Sequence, residues 1–276
     1  MTWSRDTLAH LAEAGIAPPL VPHLDDIKHV EFLGLPFCLL TQAEVVEALT
    51  ANCGAPYRYV VTPNAYHIVA AHDEPARLLP IYRDAWLSLC DSRIVRALAR
   101  LDGRALPLVT GSDLVAALLA RFNAHERPDT PRRILVVGPP HRTEAMLRAA
   151  YPNVIFEILP APDALAHNAP LRLGVARACM TRRWDFALLC VGCPAQEMIA
   201  QQLAELGCKS GVVLCVGAAI DFLTAARTRA PRWLQKLGLE WSYRLAREPG
   251  RLWRRYLVES PKILRIFMAT RSPRQR

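Results

Sequence analysis

Two aspartates stand where a carboxylate can do chemistry. Asp91 closes the apolar run Trp86-Leu87-Ser88-Leu89-Cys90 and precedes a helical pattern, SRIVRALARL. There it either caps the helix or acts as a general base at the rim of a cleft. Asp221, within Gly217-Ala218-Ala219-Ile220-Asp221-Phe222, has the same two readings, and an acid in so apolar a run needs a partner. Gly192-Cys193-Pro194-Ala195-Gln196-Glu197 has the form of a strand-to-helix turn, with Pro near the first helical position and a polar pair behind it. Such a start offers backbone N–H groups to a phosphate, and it is equally an ordinary turn. None of the glycine-ended runs spells G-x-G-x-x-G. His67 and His72 have no matching third ligand, and Cys190 and Cys193 form a lone C-x-x-C without a second pair. No metal site or cofactor is therefore expected, and the two cysteines read as packing residues. No D-x-D pair occurs, which removes one way of holding a metal on a nucleotide diphosphate.

Short β-branched runs must position these groups. Tyr59-Val60-Val61 leads into Thr62-Pro63-Asn64, and Ile134 to Val137 into Gly138-Pro139-Pro140. Phe186 to Val191 leads into Gly192, and Val212 to Val216 into Gly217. Continuous apolar strands alternating with helical patterns predict an α/β fold, a mostly parallel sheet with helices on both faces. In such sheets ligands sit beyond the carboxyl ends of the strands, where Thr62, Asn64, Asp91, Gly138, Gly192 and Gly217 all fall. HVEFLGLPF predicts a strand pair, Gln42 to Thr50 a helix, and Leu114 to Phe122 a helix capped by Ser112 or Asp113. Residues 1–28 read as an N-terminal leader without a secretory signal. The polar stretch NAHERPDTPR separates two expected Rossmann-like lobes, residues 29–125 and 132–226.

Composition sets the last fifth apart. Residues 227–276 hold fourteen Lys and Arg against three acids, a charge of +11 where the whole chain is +9, so residues 1–226 carry −2. Leu252, Trp253, Tyr256 and Leu257 recur at one and four, which on a regular helix puts them on one face beside Arg251, Arg254 and Arg255. This basic helical appendage suits an anionic membrane surface. It also suits a cap on the body, or nucleic-acid phosphates. The most apolar window is broken by Asp221 and is too short to span a bilayer. The eight cysteines show no disulfide framework, as in a reducing cytoplasm.

Several of these stretches together resemble the WecG/TagA/CpsF glycosyltransferases. They are Thr62-Pro63-Asn64 with His67, Leu89-Cys90-Asp91, Val109 to Leu114, Gly192 to Glu197, Gly217 to Phe222, and Ala230 through Leu257, over about residues 30 to 268. The resemblance implies inverting transfer of a sugar from a UDP-sugar to a polyprenyl-diphosphate-linked glycan in bacterial surface or exopolysaccharide synthesis. It implies an enzyme attached peripherally to the inner face of the cell membrane, without nucleic acid as a partner; self-association stays open. It places the general base at Asp91, substrate contacts at Thr62, Asn64, Gln196 and Asp221 beside the Gly192 and Gly217 turns, and appendage arginines at Arg244, Arg251 and Arg254. Ser92 and Leu108 depart from the family's usual Gly and Arg. The residues alone also admit a nucleotide-dependent α/β oxidoreductase or a non-enzymatic membrane- or polyanion-binding module.

Overall fold

The computed structural model describes residues 27–52, 54, 56–124, 131–224, 230, 231, 234 and 240–271. The expected leader helix and the NAHERPDTPR boundary fall wholly or largely outside these residues. The chain enters through an antiparallel hairpin, β1 (His29–Phe32) and β2 (Leu35–Cys38). Its two-residue turn puts both Leu33 and Gly34 at positive φ, the geometry that matches the twist of the flanking strands. Helix α1 (Gln42–Ala51) comes next, capped by Thr41 with Glu44 closing a capping box.

Six parallel strands then form one sheet: β3 (Arg58–Val61), β4 (Leu87–Ser88), β5 (Arg133–Gly138), β6 (Ile155–Pro160), β7 (Phe186–Leu189) and β8 (Val212–Cys215). Their order is β4-β3-β8-β7-β5-β6. The two stretches expected as lobes thus share a sheet, because β8 pairs with β3 on one side and β7 on the other. The α/β class is as expected.

Strand periodicity sorts the core. Tyr59, Val61, Leu135, Val137, Ala187, Leu189, Val213 and Cys215 join one apolar cluster, and the residues between them join the other. On the first face lie α2 (Ala65–Asp73), α3 (Pro75–Asp84), α4 (Arg93–Leu101), α7 (Ala169–Met180) and α8 (Ala195–Glu205). On the second lie α1, α5 (Gly111–Asn123), α6 (Thr143–Ala150) and α9 (Ala219–Leu223). Neighbouring strands β3, β8, β7 and β5 send their chains to alternate faces, which opens a crevice at their carboxyl ends.

The appendage comprises α10 (Glu240–Arg247), α11 (Pro249–Trp253), a π-helical stretch (Arg254–Glu259) and α12 (Lys262–Arg271). Ile263 and Phe267 are buried in the first cluster, with Phe267 edge-on to Phe32 at 6.2 Å between ring centroids. The appendage is therefore a cap on the body along one face. The expected shared face of Leu252, Trp253, Tyr256 and Leu257 does not form. Leu252 is buried and Tyr256 half-buried, while Trp253 and Leu257 are exposed. The π-helical stretch closes Ser260 N–H onto Arg255 O, five residues back, and rotates the later residues relative to a regular helix.

Candidate active site

A cleft of about 590 Å³ opens at the carboxyl ends of the strands, within the range of small-molecule sites. Beside the end of β3, Thr62 is buried and donates its hydroxyl to Cys215 O at 2.8 Å, stitching the β3 and β8 turns together. Asn64 caps α2 through Oδ1, which accepts from Tyr66 N at 3.1 Å, so a donor role in the cleft falls to its Nδ2. Asp91 comes after β4, with its N–H on Pro63 O at 3.1 Å. The capping role open to it is filled by Ser92, whose Oγ accepts from Val95 N at 3.2 Å. Similarly α5 starts earlier than expected. Thr110, with extended backbone, is its cap in place of Ser112 or Asp113, and Gly111 opens the helix.

Between β5 and β7 the walls close tightly. Gly138 has φ +124°, and a Cβ there would lie 3.1 Å from the backbone of Cys190, so only glycine fits. Pro194 sits at the cap position of α8, beside its first helical residue, and Gln196 N–H returns to Gly192 O. Gly217 N–H is engaged as well, by Gln196 Oε1 at 3.0 Å and by Leu189 O at 3.3 Å. That donor is consumed within the protein. Opposite, buried Arg172 donates to Leu165 O and Ala166 O and fixes the loop after β6 that forms one wall.

The appendage supplies cations. Arg244 lies over the Phe222 ring at 5.3 Å, and Arg255 over Tyr66 at 4.6 Å; both line the cleft with Asp91 and Asp221. Arg255 Nε is buried without a hydrogen-bond partner.

These strand-end turns, and the appendage that closes over them, fall within the stretch 30–276, which matches the WecG/TagA/CpsF glycosyl transferase family. The chain belongs to that family. A glycosyltransferase acts on a sugar donor and an acceptor, and the oxidoreductase and binding-module alternatives give way to that assignment.

Of the residues read from the sequence, this glycosyltransferase brings Thr62, Asn64, Asp91, Gly192, Gln196, Gly217, Asp221 and Arg244 to one cleft. Arg254 is exposed and is not among the lining residues, and Arg255 lines the cleft in its stead. The side chain of Arg251 lies outside the described residues. Sequence reasoning missed Arg255 because a regular helical repeat gives neighbouring arginines no ranking.

The structure also supplies what spacing did not find for His67. Cys193 and Glu197 bring donor atoms within 4.8 Å of one another and of the imidazole. These three side chains lie together, so His67 does have neighbouring donors that the sequence alone did not reveal. His67 Nδ1 accepts Asn64 N–H at 3.3 Å, which puts the ring proton on Nε2, the nitrogen facing Glu197. Burial, and then the Glu197 charge, hold the Cys193 thiol well above its ordinary range. Cys190 is likewise pushed up by burial and by neighbouring Asp221.

Proposed function

We propose that this chain is an inverting glycosyltransferase that moves a sugar from a UDP-sugar to a polyprenyl-diphosphate-linked acceptor at the surface of the cytoplasmic membrane. One observation carries the reading: the basic appendage delivers Arg244 and Arg255 into the same cleft that holds Asp91 and Asp221. Asp91 removes the proton from an acceptor hydroxyl, and that oxygen attacks the anomeric carbon from the face opposite the departing UDP. A sugar hydroxyl is a weak nucleophile near neutral pH, and a positioned base contributes roughly 10²- to 10⁴-fold. Charge gathers on the leaving diphosphate, and the two guanidiniums neutralise it in a site partly shielded from water. Gln196, Asp221 and the Asn64 amide orient the donor. The mechanism routes no step through a metal.

The outward side of the appendage supports the membrane half of the reading. Trp253, Leu257, Val258, Leu264 and Met268 are exposed, with Arg254 and Arg265 exposed among them. Among the described residues no helix is long and apolar enough to cross a membrane. An amphipathic surface of this kind lies in the headgroup region and draws the enzyme to a lipid-linked acceptor. The decisive test is a titration of the purified chain with UDP, followed by product analysis with a panel of UDP-sugars and short-chain lipid acceptors. Saturable UDP binding and a transferred sugar support the proposal. Transfer from a donor with a different nucleotide, with no UDP binding, sinks it.

A further inference from the structure

The residues that work in the cleft are held by one that does not line it. Glu197, next to Gln196 on α8, is 0% exposed and is not among the residues lining the cleft. A carboxylate taken out of water is costly unless it accepts hydrogen bonds, so its neighbours are informative. Gln196 Nε2 donates to Glu197 Oε1 at 2.8 Å. His67 Nε2 lies 3.4 Å from the same oxygen without forming a hydrogen bond. Each neighbour then reaches a rim turn: Gln196 Oε1 accepts Gly217 N–H, and His67 Nδ1 accepts Asn64 N–H.

A glutamine amide has two ends of nearly equal shape and opposite polarity, and only its partners decide which way it lies. A carboxylate can only accept. Glu197 therefore draws the NH₂ end of Gln196 to itself and leaves the oxygen for Gly217. The imidazole is set from its other side: Nδ1 accepts Asn64 N–H, which leaves the ring proton on Nε2, beside Glu197 but not hydrogen-bonded to it. The turns so fixed come from β3 and β8, two adjacent strands far apart in sequence.

We propose that Glu197 is the positioning residue of this cleft, a buried acceptor that sets the polarity of Gln196 and thereby fixes the Gly217 turn. Its functional consequence rests on the reading of the cleft as the UDP-sugar site; its structural consequence does not.

The test uses two variants of the full chain. E197Q keeps the shape and one acceptor oxygen but loses the charge and adds a donor, so the amide of Gln196 is no longer held in a single polarity and its oxygen is released from Gly217 for part of the time. The exchange variant Q196E/E197Q reverses the pair. The carboxylate at position 196 then accepts Gly217 N–H, and the amide at position 197 donates to that carboxylate. Amide hydrogen exchange at Gly217 is measured without ligand, and UDP affinity is measured alongside. E197Q is expected to speed Gly217 exchange and to weaken UDP binding, each by about 10-fold, about 1.4 kcal/mol. The exchange variant is expected to return Gly217 exchange to within about 3-fold of wild type, a rescue that loss of packing alone does not give. Unchanged Gly217 exchange in E197Q, or an exchange variant no better protected than E197Q, overturns the proposal. If E197Q fails to fold, a folded exchange variant with Gly217 protected supports it, and one that also fails to fold overturns it. A wild-type chain that binds no UDP removes the nucleotide reading alone, since the exchange measurement still decides the role of Glu197.

Discussion

Replacing the outward apolar stripe of the appendage by serine, in the quadruple variant W253S/L257S/L264S/M268S, tests how this enzyme meets a membrane. These side chains are 47%, 56%, 50% and 63% exposed. Full burial of a large apolar side chain is worth about 1.5–3 kcal/mol. Half-exposed residues therefore retain about 1 kcal/mol each to gain in a lipid interface, or about 4 kcal/mol together. Exposed Arg254 and Arg265 add about 1 kcal/mol each at an anionic surface. Lys262 and Arg271 are left out of that sum because Lys262 pairs with Glu259 and Asp73, and Arg271 lies 3.8 Å from Asp102. Losing about 4 kcal/mol lowers partition about a thousandfold. Sedimentation with anionic phospholipid vesicles measures it. The four side chains already contact water, so the melting temperature should move by only a few degrees. Removing residues 227–276 entirely is a poorer experiment, because it also strips buried Leu252, Ile263 and Phe267 from the body. A quadruple variant that sediments with vesicles as wild type does refutes the reasoning, as does equal wild-type binding to vesicles without anionic lipid.

Three further outcomes are expected. Asp91→Asn should lower kcat by roughly 10²- to 10⁴-fold while leaving UDP affinity within about 2-fold and stability intact, since Ser92 is the helix cap; undiminished turnover removes Asp91 from the mechanism. With a water-soluble acceptor, Arg255→Ala should lower kcat/KM by about 10-fold or more and Arg254→Ala should not, because only Arg255 lines the cleft; equal losses would contradict the assignment. Stability should fall above about pH 9. Burial pushes the Cys38 thiol from 9.0 up to about 11, and Cys90 and Cys179 up to about 12. Raised folded-state values mean that the protonated thiols stabilise the fold fully below pH 9.0, and that this contribution is lost as pH rises through the window from 9.0 to about 12. Each contributes a slope of roughly 1.4 kcal/mol per pH unit there. Urea unfolding at about pH 8 and about pH 10 checks it, and a flat profile would show that these thiols titrate normally.

The rim of the cleft was legible from the chain alone because each strand is a continuous apolar run with an abrupt polar or glycine end. That pattern forces burial on both faces and ends the strand at the next residue along, so Thr62, Asn64, Asp91, Gly192 and Gly217 could be placed at one end of a sheet. Two assignments failed for local reasons. Ser112 and Asp113 were plausible caps by residue type, but the helix is capped earlier, at Thr110. The apolar face expected across residues 252–257 divides in two: Leu252 and Tyr256 turn toward the body and Trp253 and Leu257 toward solvent, because the body covers only one side of the helix.

By itself the sequence determined the α/β class, five of the six parallel strands, the positions at their carboxyl ends and the separation of a neutral body from a cationic end, because these arise from short-range periodicity and local charge. Tertiary structure alone decided that β3 lies between β4 and β8, that Gln196 and Glu197 close onto Gly217 and His67, and that Arg255 and not Arg254 enters the cleft. Those outcomes depend on which strands pair and on how each helix is rotated against the sheet. Contacts between residues far apart along the chain leave no periodic trace in the sequence that makes them.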